Sequence, residues 1–199
     1  MPPIGAAVAE AVGQSDKERT MVAGVLAGAA ALAMLTGGGA GNVPAGTYWQ
    51  RVHAQFAPPS AFIASPAVTY DMERVPAAAG IVVEQSRDAS GTRVTARLTG
   101  LNPRRVYGMD VHTGTCGSTP GSAGPRYRDA GSPAGPAGRM PLDFTTDAKG
   151  GATVTAWRGW NFRPGGAGSV VIHPTRHGEG DRAACFAVPF GPVAGPSVR

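Results

Sequence analysis

Residues 92–100 read Thr-Arg-Val-Thr-Ala-Arg-Leu-Thr-Gly, so Val94, Ala96 and Leu98 alternate with Arg93, Thr95 and Arg97. A period of two is that of a β-strand with one buried face and one wet face. Similar short, β-branched segments bounded by turn residues occur at 67–70, 80–85, 106–112, 142–146, 152–157, 169–173 and 183–190. Asp88-Ala-Ser-Gly91 and Asp147-Ala-Lys-Gly-Gly151 are hairpin turns, and Asn102-Pro103 turns the chain into 106–112. There is no amphipathic helical stretch and no internal repeat. The pattern predicts an all-β fold, an eight-stranded antiparallel Greek-key sandwich or barrel.

The 199 residues suffice for one domain of about 120–150 residues and a leader. The organisation read from the chain is a leader at 1–45, a linker or arm at 46–66, the β domain at 67–190 and a tail at 191–199. Lys17 and Arg19 precede an apolar run at 21–35, and Val43-Pro-Ala45 offers small residues at a cleavage position. That is the pattern of a secretory signal peptide, which implies a secreted or cell-envelope protein with no stable membrane insertion after cleavage. An uncleaved N-terminal anchor is the alternative; the run falls short of a full span, and no cysteine follows it to carry lipid. In 46–66, Trp49, His53, Pro58 and Pro59 show no periodicity, and His53 reads as a solvated side chain.

Glycine (30) and proline (18) make about a quarter of the chain and only 16% of residues are charged, which suits strands joined by long loops. The formal charge is +5, and losing 1–45 removes two bases and three acids to leave +6. The basic residues are scattered singly and no nucleic-acid motif accompanies them, so no nucleic-acid partner is expected. A basic surface of this kind leaves attraction to an anionic cell-surface polymer as a hypothesis. Cys116 and Cys185, in an exported chain, point to a single disulfide. A two-cysteine metal site is the weaker alternative, since no C-x-x-C spacing exists.

The stretch Tyr107-Gly-Met-Asp-Val-His-Thr-Gly-Thr-Cys116 reads as a strand running into a loop. Strand alternation puts Asp110 and His112 on one face and Met109 and Val111 on the other. A carboxylate and an imidazole side by side make a candidate metal half-site, and His173 offers a second half further along. Residues 117–139 are mostly Gly, Pro, Ala and Ser around Arg126, Tyr127, Arg128 and Asp129, a long loop of the kind that carries function. His177, four residues after His173, reads as a solvated loop histidine.

Four blocks occur in order: Gly108–His112, Ala123-Gly-Pro-Arg-Tyr127, Val171-Ile-His173 and Arg182-Ala-Ala-Cys185. Together they resemble the fingerprint blocks of the copper–zinc superoxide dismutases, in particular the secreted actinobacterial-type branch, over about 67–190. The resemblance implies a superoxide dismutase-like sandwich with a Cys116–Cys185 disulfide. It also implies copper held by four histidines, whose positions here are Asp110, His112, Arg126 and His173. Two of the four are histidine, and Asp110 is a chemically possible ligand beside them. Zinc is not expected: there is no histidine between His112 and His173, and no aspartate near 139–140. Arg182 matches the arginine that guides superoxide to the metal.

Arg126 cannot ligate, because its guanidinium stays protonated. At 4 Å and an effective dielectric of 20 it would oppose a dication by roughly 8 kcal/mol. The simplest outcome is that Asp110 and Arg126 pair with each other in the space of the metal. Two function classes follow. One is an extracellular superoxide dismutase cycling copper at His112, His173 and Asp110, with Arg182 steering the anion. The other is a non-catalytic exported binding or structural domain, or a weak metal-binding module, on the same scaffold.

Overall fold

A computed structural model describes residues 47–178 and 180–191. The leader at 1–45 and nearly all of the tail lie outside the described residues. Among the described residues nine strands form: β1 (Tyr48–Gln55), β2 (Ala67–Thr69), β3 (Gly80–Asp88), β4 (Gly91–Thr99), β5 (Val106–His112), β6 (Phe144–Thr145), β7 (Ala152–Arg158), β8 (Ser169–His173) and β9 (Ala184–Ala187). Eight of them are the segments the alternation predicts.

The ninth, β1, corrects the reading of 46–66 as a linker or arm. It pairs antiparallel with β3 along its whole length, from Tyr48 opposite Arg87 to Gln55 opposite Gly80. Its inward side chains are only half-buried and include Tyr48 and Gln50 beside Val52 and Ala54. A strand on the sheet edge with so little apolar character carries a weak alternation signal.

Two sheets result, ordered β1-β3-β4-β7 and β2-β9-β8-β5-β6. The named strands within each sheet pair antiparallel. No strand pairing closes one sheet onto the other among the described residues, so the architecture is a sandwich. Neighbours such as β4 and β7, or β5 and β8, are distant in sequence, as Greek-key crossovers require.

The core lies between the sheets. Ile81, Val83, Val94, Ala96 and Leu98 of the first sheet meet Met109, Val111, Val170, Ile172 and Phe186 of the second in one apolar cluster. Side chains of opposite parity in the second sheet therefore face outward: Asp110, His112, Val171, His173 and Cys185. They are nevertheless buried, because the long loops fold over them. Val171 and Cys185 pack with Ala123 of the 113–143 loop, with Tyr70 and Cys116 against them. The Cys116–Cys185 disulfide is formed and fastens the start of that loop to β9.

Gly108 allows a second close approach. A Cβ there would lie 2.3 Å from the Thr175 carbonyl oxygen, so only glycine lets the 174–178 turn settle against β5. That turn brings the Gly178 carbonyl over the outer face.

Candidate functional site

The 113–143 loop is stitched to the end of β5 as if it were another strand. The Thr113 N–H donates to Pro125 (2.9 Å), the Tyr127 N–H donates to Val111 (2.7 Å), and His112 and Arg126 form an antiparallel bridge. This backbone ladder, rather than any side chain, sets Arg126 beside β5. Its Nε lies 2.9 Å from Asp110 Oδ2, and the two side chains are only 16% and 8% exposed. The Arg126 Nη2 also donates to the Gly178 carbonyl. The opposite charges at 110 and 126 thus form a buried ion pair, as their positions in the sequence predict.

Burial drives the Asp110 carboxyl above its ordinary value; Arg126 pulls in the opposite direction and the Asp143 charge adds to the rise. The pair is therefore a compromise in which desolvation outweighs the guanidinium.

His112 and His173 stand beside this pair, ring centroids 5.8 Å apart. His112 Nδ1 is 2.9 Å from the Gly124 carbonyl and His173 Nδ1 is 2.9 Å from the Asp181 carbonyl. A carbonyl only accepts, so each Nδ1 carries the proton and each Nε2 keeps a lone pair. Both Nε2 atoms are buried without a hydrogen-bond partner among the described residues. Burial above all pushes the His112 imidazolium down to about 4, with the Arg182, His173 and Arg126 charges assisting against the Gly124 carbonyl. His173 is lowered for the same leading reason.

Arg182 donates from Nη1 to the Pro120 carbonyl (2.7 Å) and from Nη2 to the Gly124 carbonyl (2.8 Å). Gly124 thus couples Arg182 to His112. Arg128 is held by the Gly135 carbonyl at 2.9 Å. An open cavity of about 350 Å³ is bordered by Arg126, Arg128, Arg139, Arg182, His112 and His173.

Among the described residues, no group of three or more His, Cys, Asp and Glu side chains is placed to hold a metal ion. The two orphan Nε2 atoms fit a metal as imidazole donors, but the other two ligand positions that the sequence resemblance implies hold a guanidinium and the carboxylate paired with it. The donor set does not fit a four-histidine copper centre. His177 does not join it: its ring is 81% exposed and its Nδ1 pairs with Asp143 Oδ2 at 2.9 Å. Arg128, Arg139 and Asp143, which accepts the Met109 N–H at 3.1 Å, were not singled out from sequence as site residues. Only the arginines within the long loop signalled them.

The neutral buried histidine has a measurable consequence. Unfolded His112 binds a proton near pH 6.5 whereas the folded ring resists protonation until about pH 4. The unfolded state binds more protons in that window, so stability present above pH 6.5 is lost as pH falls through it, by about 3 kcal/mol at most. Denaturant unfolding from pH 7.5 to 4 should show this loss, and His112→Gln should flatten it.

No protein-family model matches the chain, and no curated protein matches it. Among the solved structures that resemble it are two of variants of a SOD-like protein from Bacillus subtilis. The double mutant matches with a TM-score of 0.48 at 19% identity, covering 70% of this chain and 97% of that one. A single mutant of the same protein matches with a TM-score of 0.43 at 18% identity, over 70% and 97% of the two chains.

Proposed function

We propose that this chain is an exported, superoxide dismutase-like β-sandwich that does not dismutate superoxide, and that its former copper position serves as a binding pocket for small oxyanions. The observation that carries this reading is the buried Asp110–Arg126 pair at 2.9 Å, which occupies two of the four positions where the resemblance puts copper ligands. A site that cycles copper needs donors for both oxidation states, and a guanidinium at the centre supplies none.

The oxyanion reading rests on the lining. Four arginines face the cavity. Backbone carbonyls hold three of them, Arg126, Arg128 and Arg182, so little side-chain freedom remains to be lost on binding. The two Nε2 lone pairs can accept from a protonated oxygen of the ligand, such as the hydroxyl of monobasic phosphate. The leader pattern and the disulfide support export. The pair of orphan Nε2 atoms favours one second reading, a weak two-imidazole metal site.

A titration of the disulfide-intact protein with Cu(II), followed by electron paramagnetic resonance, separates these. The expected result is no stoichiometric, nitrogen-coupled copper, together with a melting temperature that rises with phosphate and no longer does so in Arg182→Gln. Tight copper abolished by His112→Ala and by His173→Ala would restore the enzyme reading. Weak copper with two nitrogen couplings would establish the metal-binding module. Asp110→His combined with Arg126→His should gain copper affinity by at least a hundredfold, because it supplies two donors and removes the opposing charge in one step.

A further inference from the structure

The first sheet turns a solvent face away from the pocket, and that face carries an unusual row. Register places Trp49 opposite Ser86, Ser86 opposite Arg93 and Arg93 opposite Trp157. Directly paired residues point to the same side, so two indoles flank an arginine and a serine across all four strands. Trp49 is 64% exposed and Trp157 is 48% exposed. Neither indole N–H makes a hydrogen bond among the described residues. Three strand spacings separate them, roughly 14 Å.

The neighbouring charges are partly matched among themselves. Glu84 takes both Arg97 (2.8 Å) and Arg51 (3.5 Å). Asp88, at the adjoining hairpin, is held by the Ser90 N–H and hydroxyl at 2.7 and 2.6 Å. Arg93 makes no hydrogen bond or ion pair among the described residues, although its charge helps to lower the Asp88 carboxyl. The next row is Arg51, Glu84, Thr95 and Thr155, in which the two threonine hydroxyls meet at 2.9 Å.

We infer that this face binds an acidic polysaccharide, with sugar rings lying on Trp49 and Trp157 and a carboxylate of the polymer on Arg93. The inference stands apart from the pocket on the other sheet. A folded protein partner needs a contiguous apolar centre, whereas these indoles are separated by polar residues. A polymer with a repeating apolar face needs only platforms at intervals. Arg93 selects a negative charge between them by complementarity, and the surrounding hydroxyls match those of the sugar. A single-stranded nucleic acid would also stack on indoles, but it is tracked by a basic groove, and this is an open sheet face.

The test is affinity electrophoresis of the full secreted chain in gels containing polygalacturonate, with a neutral β-glucan and oligo-dT as comparisons. Retardation by polygalacturonate should weaken about tenfold in Trp49→Ala and in Trp157→Ala. Arg93→Gln should remove the preference over the neutral glucan. Tryptophan fluorescence should shift on binding through the two exposed indoles; Trp160, whose Nε1 donates to the Ala137 carbonyl at 3.0 Å, remains as the internal reference. These substitutions touch only the surface, and far-ultraviolet circular dichroism checks that they leave the fold intact. No retardation by polygalacturonate overturns the inference, as does retardation that survives the double tryptophan variant. Binding to oligo-dT alone, or tryptophan-dependent self-association in sedimentation, overturns it in favour of a nucleic-acid surface or a second copy of the chain.

Discussion

Serine at both Cys116 and Cys185 should lower the melting temperature by roughly 10–20 °C. The bridge joins residues 69 apart in sequence. Closing a loop of that length removes about 4 kcal/mol of denatured-state entropy in the chain-entropy model, and each kcal/mol moves the midpoint of a domain of this size by about 2–5 °C. The effect is also local. Cys116 begins the segment that carries Arg126, Arg128 and Arg139, and Cys185 lies on β9 beneath it. Cutting the bridge leaves the backbone ladder at 113–127 as that segment's main attachment, so proteolysis within 117–139 should accelerate before the sandwich melts. Calorimetry and limited proteolysis with and without reductant read both effects. A midpoint shift under 3 °C would show that the loop is held by packing alone.

That dependence explains what the sequence could reveal. Strands were legible because burial imposes parity: Val94, Ala96 and Leu98 go inward, and the same parity in β5 puts Asp110 and His112 on one outward face. The charge complement of Asp110 and Arg126 was legible too, since an aspartate and an arginine at two converging positions have one obvious solution. Strand β1 was not legible, because Tyr48 and Gln50 occupy inward places on a half-buried edge. The tautomers of His112 and His173 were hidden for a different reason: their partners are the carbonyls of Gly124 and Asp181, and a carbonyl leaves no mark on residue type. The arginine lining depends on how a glycine- and proline-rich loop folds, which periodicity cannot describe. The tryptophan row became visible only once register had aligned residues 49 and 157.

Replacing Arg126 by alanine should destabilise the protein by about 3 kcal/mol, while Asp110→Leu with Arg126→Met should stay within about 1 kcal/mol of the parent. The asymmetry follows from burial. Alanine at 126 leaves a carboxylate 8% exposed without its cation, whereas an apolar pair of similar volume removes the charge and its desolvation together. The pH dependence identifies the culprit. The Asp110 carboxyl already sits above its ordinary value because of burial, and losing Arg126, which lowers it, raises it further. A folded carboxyl that holds its proton more tightly than the unfolded one destabilises the fold increasingly as pH rises above about 4, and not in acid below both values. The Arg126→Ala deficit should therefore be large at pH 7 and shrink as pH falls, a slope opposite to the one His112 contributes. Denaturant unfolding of parent, single and double variants between pH 3 and 8 measures it. A deficit independent of pH would assign the loss to the Arg126 contact with the Gly178 carbonyl and to packing. A shrinking deficit would show that Arg126 is retained for an electrostatic reason: once Asp110 is buried, a cation must accompany it.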